Sequence, residues 1–247
     1  MKTFAKLSLS VLLPLMLASG CALVQVAFPA GADKAAFDKY NVIGKSELAM
    51  YAGALSIGDY SVKVSRGWTE KKSSTGSTLF RSETETDKSQ KYSFTIAGPE
   101  NFASSGDCQT WIKTEKESTA FSTEVSPSST AILEDTLVCA FLGADKKPYE
   151  MKMEKTGKPE SYDKKGTLKG PGFEMTVETT TKIAGKQSGS WLVTGYYFYE
   201  KGTLVAVIDS TKLGAVYISK SLRKEMFPVI LNASAALLAY QDLGLRE

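Results

Sequence analysis

Strict alternation of apolar and polar residues, repeated from Tyr60 onward, is what most limits the folds open to this chain. Tyr60, Val62 and Val64 alternate with Ser61, Lys63 and Ser65. The same pattern recurs in Tyr92, Phe94 and Ile96, in Tyr149, Met151 and Met153, and in Phe173, Met175 and Val177, with Ser, Thr, Lys or Glu between them. Successive side chains of a strand point to opposite faces, so a period of two marks strands with one face on a core and one in water. Asp87-Lys88-Ser89-Gln90, Gly98-Pro99 and Gly170-Pro171-Gly172 read as turns between such runs. The expectation is a mainly β (α+β) protein: one curved antiparallel sheet of roughly nine or ten strands.

Two late segments break the alternation. Trp191 to Tyr199 and Thr203 to Ile208 are apolar on both faces, as in central strands covered from both sides. Between Ser221 and Leu243, the residues Leu222, Met226, Val229, Ala233, Leu237 and Tyr240 recur at helical spacing, and Gly244 ends the pattern. Pro228 either kinks this helix or starts its longer part. The pattern predicts a C-terminal helix packed on one face of the sheet. Earlier in the chain, Asp33 to Tyr40 is long enough for two helical turns, and Ser46 to Leu55 is an ambiguous helix weakened by Gly53. Thr114 to Thr130, rich in Ser, Thr and Glu, reads as an exposed loop between strands.

The N-terminus carries an address. Lys2 and Lys6 precede an apolar run from Leu7 to Leu17, which as a helix spans about 17 Å, well short of a bilayer core of about 30 Å. That is the pattern of a signal peptide rather than a spanning helix. Small residues Ala18, Ser19 and Gly20 lead directly to Cys21. The stretch Leu17-Ala18-Ser19-Gly20-Cys21 resembles the lipobox of bacterial lipoproteins, with Ala18 at the position where leucine is commoner. The resemblance covers residues 1–21 only. It implies cleavage before Cys21, diacylglycerylation of its thiol and acylation (palmitate-type) of the new N-terminus. Ala22, where an aspartate often marks inner-membrane retention in that family, implies the outer membrane with the domain in the periplasm. The expected organisation is a signal peptide over 1–20, a lipidated tether over 21–45 and one β-rich domain over 46–247.

Removing the leader changes the composition argument. Without Lys2 and Lys6 the 30 basic residues become 28, against 27 acidic, so no strong charge points to nucleic acid. Of the 3 cysteines, Cys21 is assigned to lipid, which leaves Cys108 and Cys139 as an even pair in an oxidising compartment. Their disulfide would close a loop of about 32 residues and contribute about 3.7 kcal/mol in the chain-entropy model.

The chemistry that the residue types permit is narrow. The chain has no histidine, which removes histidine-activated nucleophiles, histidine general bases and His-ligated metal sites. Ser161-Tyr-Asp-Lys164 and Ser221-Leu-Arg-Lys224 match the S-x-x-K of Ser–Lys hydrolases, and Lys155-Thr156-Gly157 matches K-T-G, but the order along the chain is reversed and no S-D-N element accompanies them. Glu83/Glu85 and Glu174/Glu178 could pair as glycosidase carboxylates, yet each lies on the wet face of its strand. We therefore expect no catalytic residues, no metal and no cofactor. Trp191, Tyr197 and Tyr199 are candidate ligand-facing aromatics, and the lysine-rich stretch from Lys146 to Lys169 is a candidate contact for anionic lipid. The expected function is a membrane-anchored, non-enzymatic binding or assembly module that meets another envelope protein. The alternative is a periplasmic carrier holding a hydrophobic ligand between sheet and helix.

Overall fold

The computed structural model describes residues 24–45, 55–77, 81–119, 128–143, 146–158, 161–186, 192–212 and 214–240. The strands are β1 (Phe37–Ile43), β2 (Leu55–Ile57), β3 (Tyr60–Ser77), β4 (Arg81–Ala97), β5 (Ala103–Thr119) and β6 (Ser128–Leu142). They continue as β7 (Pro148–Lys155), β8 (Lys164–Gly170), β9 (Phe173–Thr180), β10 (Gly195–Glu200), β11 (Thr203–Asp209) and β12 (Ala215–Ser219). Among the described residues one α-helix, α1 (Phe227–Ala239), follows. Each strand pairs antiparallel with its neighbour in sequence, and β1 pairs with β12, so the sheet closes into a barrel. The sheet is therefore a closed barrel of twelve strands rather than a curved sheet of nine or ten.

The alternation sets the wall. Val62, Phe94, Ile96, Leu137, Met151, Met153, Leu168, Met175 and Val177 point inward and are buried, while Lys63, Lys91, Glu150, Lys152, Lys165 and Glu174 lie outside and are exposed. An apolar lumen behind a charged outer wall is the reverse of a transmembrane barrel, which turns its apolar side to lipid. Among the described residues no helix is long and apolar enough to cross a membrane.

The lumen is filled by α1. The helix lies inside the barrel instead of covering one face of a sheet: every residue from Val229 to Ala239 is at most 3 % exposed, and all join the inward side chains of the wall in one core, save Asn232 and Ser234. A helix apolar all round has no face for water and requires such an enclosure. Its two polar residues are turned onto its own backbone, Asn232 Nδ2 donating to Pro228 O (2.9 Å) and Ser234 Oγ to Ile230 O (2.7 Å). Pro228 stands in the first turn, where its missing N–H costs nothing, and so starts the helix rather than kinking it. At the other end the last carbonyls find partners on the wall: Tyr92 Oη donates to Ala236 O (2.9 Å) and Arg66 Nη2 to Ala239 O (2.5 Å). A guanidinium there also suits the negative end of the helix dipole.

The doubly apolar strands β10 to β12 have their second cover in the N-terminal segment. Val26 and Phe28 pack outside the wall on Tyr197, Val207, Ala215 and Tyr217. Phe28 meets Phe37 and Tyr217 edge-on, with ring centroids 5.4 and 5.1 Å apart. Gly195 leaves room for this, since a β-carbon there would lie 2.8 Å from Val26 Cγ2. The expected tether thus enters the fold, and its Asp33 to Tyr40 part forms a single 3-10 turn over Lys34–Ala36 before β1. The Ser46 to Leu55 expectation lies outside the described residues except for Leu55, which is in β2.

Strands β3 to β6 run on past the rim. Thr69 to Ser77, Arg81 to Gln90, Thr110 to Thr119 and Ser128 to Thr136 continue to pair, forming a four-stranded tongue roughly 30 Å long at about 3.3 Å per residue. Much of the expected Thr114–Thr130 loop is therefore hairpin strand; residues 120–127 lie outside the described residues. A register shift at Arg66/Thr69 falls at the tongue's base and another at Lys113/Thr114 partway along it; such bulges bend strands.

Candidate functional site

The sequence matches to Ser–Lys and carboxylate motifs do not assemble as such among the described residues. Ser161 Oγ donates to Asp163 Oδ2 (2.6 Å), whereas Lys164, its S-x-x-K partner in sequence, points into the protein. There Lys164 Nζ meets Asp135 Oδ2 at 2.5 Å and Tyr240 Oη, and Tyr240 Oη donates to Asp135 Oδ1 at 3.1 Å. Lys155 of the K-T-G match donates to the carbonyls of Lys158 (2.6 Å) and Ser161. Ser221 is hydrogen-bonded to Ser219. Three of the four candidate carboxylates are held by cross-strand lysines, Glu85 by Lys113, Glu174 by Lys169 (3.3 Å) and Glu178 by Lys165 (2.7 Å). Lys152 faces Glu154 at 2.8 Å, so the lysine-rich 146–169 stretch is in part a ladder of surface ion pairs. Among the described residues no group of three His, Cys, Asp or Glu side chains could hold a metal.

The other expected positions fall as follows. Cys108 and Cys139 sit opposite one another on β5 and β6, Cα–Cα 4.1 Å, and are joined by a disulfide facing the lumen. The bridge staples two adjacent strands. Tyr197 and Tyr199 face outward beneath the N-terminal segment, and Tyr197 Oη donates to Ala27 O at 2.6 Å. Burial raises the phenol pKa of both. They line neither the groove hollows nor the rim hollow described below; it is Tyr196 and Phe198 that turn to the lumen. Cys21 and Trp191 lie outside the described residues.

Open space lies elsewhere, on the outer face of β3 to β7 where the tongue leaves the wall. Two adjoining hollows of about 530 and 740 Å³ share Gln109, Trp111 and Val138. Trp111 is 42 % exposed at their centre. Lys91 and Asp107 flank it on the barrel side, and Glu70, Asp87, Lys113 and Glu134 on the tongue side. The sheet parity determines this: outward residues of five neighbouring strands line up across the bend. On the neighbouring β3, Trp68 at the bulge is 95 % exposed. Among the described residues no strand pairs with the second edge of β3 beyond Val62. Sequence reasoning missed this site. Its one readable sign is Trp111 itself, a large aromatic at an outward position between the inward Thr110 and Ile112.

A third hollow, of about 240 Å³, lies at the rim by the C-terminal end of α1, bounded by Lys45, Tyr162, Val193, Leu237 and Leu238. Lys45 is held against Thr211 O at 3.0 Å, and burial lowers its pKa to about 8 despite the opposing pull of Asp209.

No family model matches the chain, and no curated protein or solved structure matches it.

Proposed function

We propose that this protein is a lipid-anchored envelope module that binds another envelope protein in the outer groove of its tongue and carries out no reaction. The observation that carries the reading is the distribution of space: the lumen is occupied by α1, while the groove around Trp111 is open. The groove also has the make-up of a protein-binding surface, with one indole among charges of both signs. Lipid at Cys21 and residence at the outer membrane form the rest of the proposal, on the strength of the N-terminal sequence. Two or more acyl chains give stable anchoring. Anchoring also confines the search for a partner to one surface.

A photoreactive residue placed at Val138, in the groove, and separately at Lys201, in the β10–β11 turn, tests it in living cells. Protein adducts from position 138 that disappear with Trp111→Ala are expected. Equal adducts from both positions, or none from 138, refute the reading, as does a hydrolase activity lost on changing a single Ser, Lys or Glu. The carrier reading has one observation in its favour, the rim hollow beside Leu237 and Leu238. At about 240 Å³ that hollow is below the ~300–1,000 Å³ of typical ligand pockets.

A further inference from the structure

The N-terminal segment does not hang free. Val24 O accepts from Thr211 Oγ1 (2.9 Å), Gln25 O from Ala184 N (2.9 Å), and Val26 N and Ala27 N donate to Asp209 and to Lys182 O. The chain is thus fastened to the barrel from Val24 on, and it leaves at the rim formed by 181–186, 210–212 and the end of β1. Cys21 is three residues away, a reach of about 11 Å at full extension. That same stretch of rim presents Lys182, Lys186 and Lys212, all exposed, together with the exposed aliphatic side chains of Val24 (43 %) and Ile43 (66 %). Those segments contain no exposed carboxylate among their described residues; Asp209, just below, is buried and bonded to Val26 N and Thr211. In the strand order β10 and β11 stand half the ring away from β4 and β5, so the tongue leaves the same rim across the mouth from the 181–186 and 210–212 segments, while Ile43 at the end of β1 is two strands from β3.

From the chain's exit and the charge of the rim we infer that this patch is the face the protein lays on an anionic lipid bilayer. The inference rests on the lipid anchor at Cys21. Lysines draw the rim to anionic headgroups, and Val24 and Ile43 enter the interfacial layer.

The test uses the full protein purified from membranes in detergent. Its intact mass reads acylation at Cys21 and so judges the anchor on its own. The same material is reconstituted into vesicles of phosphatidylglycerol and phosphatidylethanolamine, or of phosphatidylcholine alone, and its lysines are acylated and located by peptide mass spectrometry. Modification of Lys182, Lys186 and Lys212 is expected to slow about fivefold on the anionic vesicles, with less protection on phosphatidylcholine. Lys147 and Lys201, at the other end of the barrel, should react as they do in detergent. Equal reactivity at all five lysines, or protection at Lys147 and Lys201 instead, overturns the inference. If the mass shows no acyl groups, the anchor falls alone. The face is then judged on unacylated protein: protection at the three rim lysines upholds it, and failure to bind anionic vesicles ends it.

Discussion

Asp135 and Lys164 are 2 % and 6 % exposed, and neither would be tolerated there alone. A charge stripped of its counter-ion in such a place costs several kcal/mol, so Asp135→Ala should lower the unfolding free energy by about 3–5 kcal/mol in urea titrations. Asp135→Ala with Lys164→Met should recover much of that loss. Lys45 makes the opposite kind of statement. Its pKa falls from 10.5 to about 8 on folding, because burial penalises the ammonium more than Asp209 favours it. The unfolded chain then binds more protons between those values, so the penalty is fully present below pH 8 and is relieved as pH rises towards 10.5. Lys45→Met should therefore be more stable than the parent at pH 7, by at most about 3 kcal/mol, with a gap that narrows by pH 9.5 in denaturant titrations. At this scale the sequence is a poor guide. Ser161 and Lys164 look like partners because they are close in the chain, yet Lys164 answers to Asp135 on another strand. Distance along the chain carries no information about which buried charges meet.

Among the elements, α1 is the part most sensitive to change. Ile230, fully buried against the wall, should cost about 2–5 kcal/mol when cut to Ala, measured by chemical denaturation. Replacing Cys108 and Cys139 together by Ala should remove about 3–4 kcal/mol, read as the stability difference between oxidised parent and variant. The tongue's outer edge depends on charge for solubility. Lys71 and Lys72 lie on β3, the outermost strand of the tongue among the described residues, and Lys71→Val with Lys72→Ile should turn a monodisperse protein into a self-associating one by light scattering. Alternation located β3, β4, β7 and β9 because one face of each meets the core and the other meets water. It could not locate β2, which has three residues, or the tongue, where Thr69 to Ser77 are exposed on both faces. The one-sided placement expected for α1 came from giving weight only to every third or fourth residue. Val229, Ile230 and Leu231 are consecutive, and three apolar neighbours in a row cannot share one side of a helix.

At the level of the molecule, closure was not legible, because no local pattern announces that a first strand will meet a last one. Phe37 pairs with Ser219 and Asn41 with Ala215, across nearly the whole chain. The groove shares this property: it exists only where five strands bend together at the tongue's base. A chain ended after Lys220 keeps every strand but loses the filling of its lumen, and it should bind a hydrophobic dye strongly and unfold without a cooperative transition. The seam between β1 and β12 also bears on timing. The strand synthesised first has no partner on that side until the strand synthesised last is available, and the helix that the wall must surround is later still. Such a chain cannot lock into its final form piece by piece as it emerges from a ribosome. Its barrel closes only once the last strand has been made, and its lumen fills only after that.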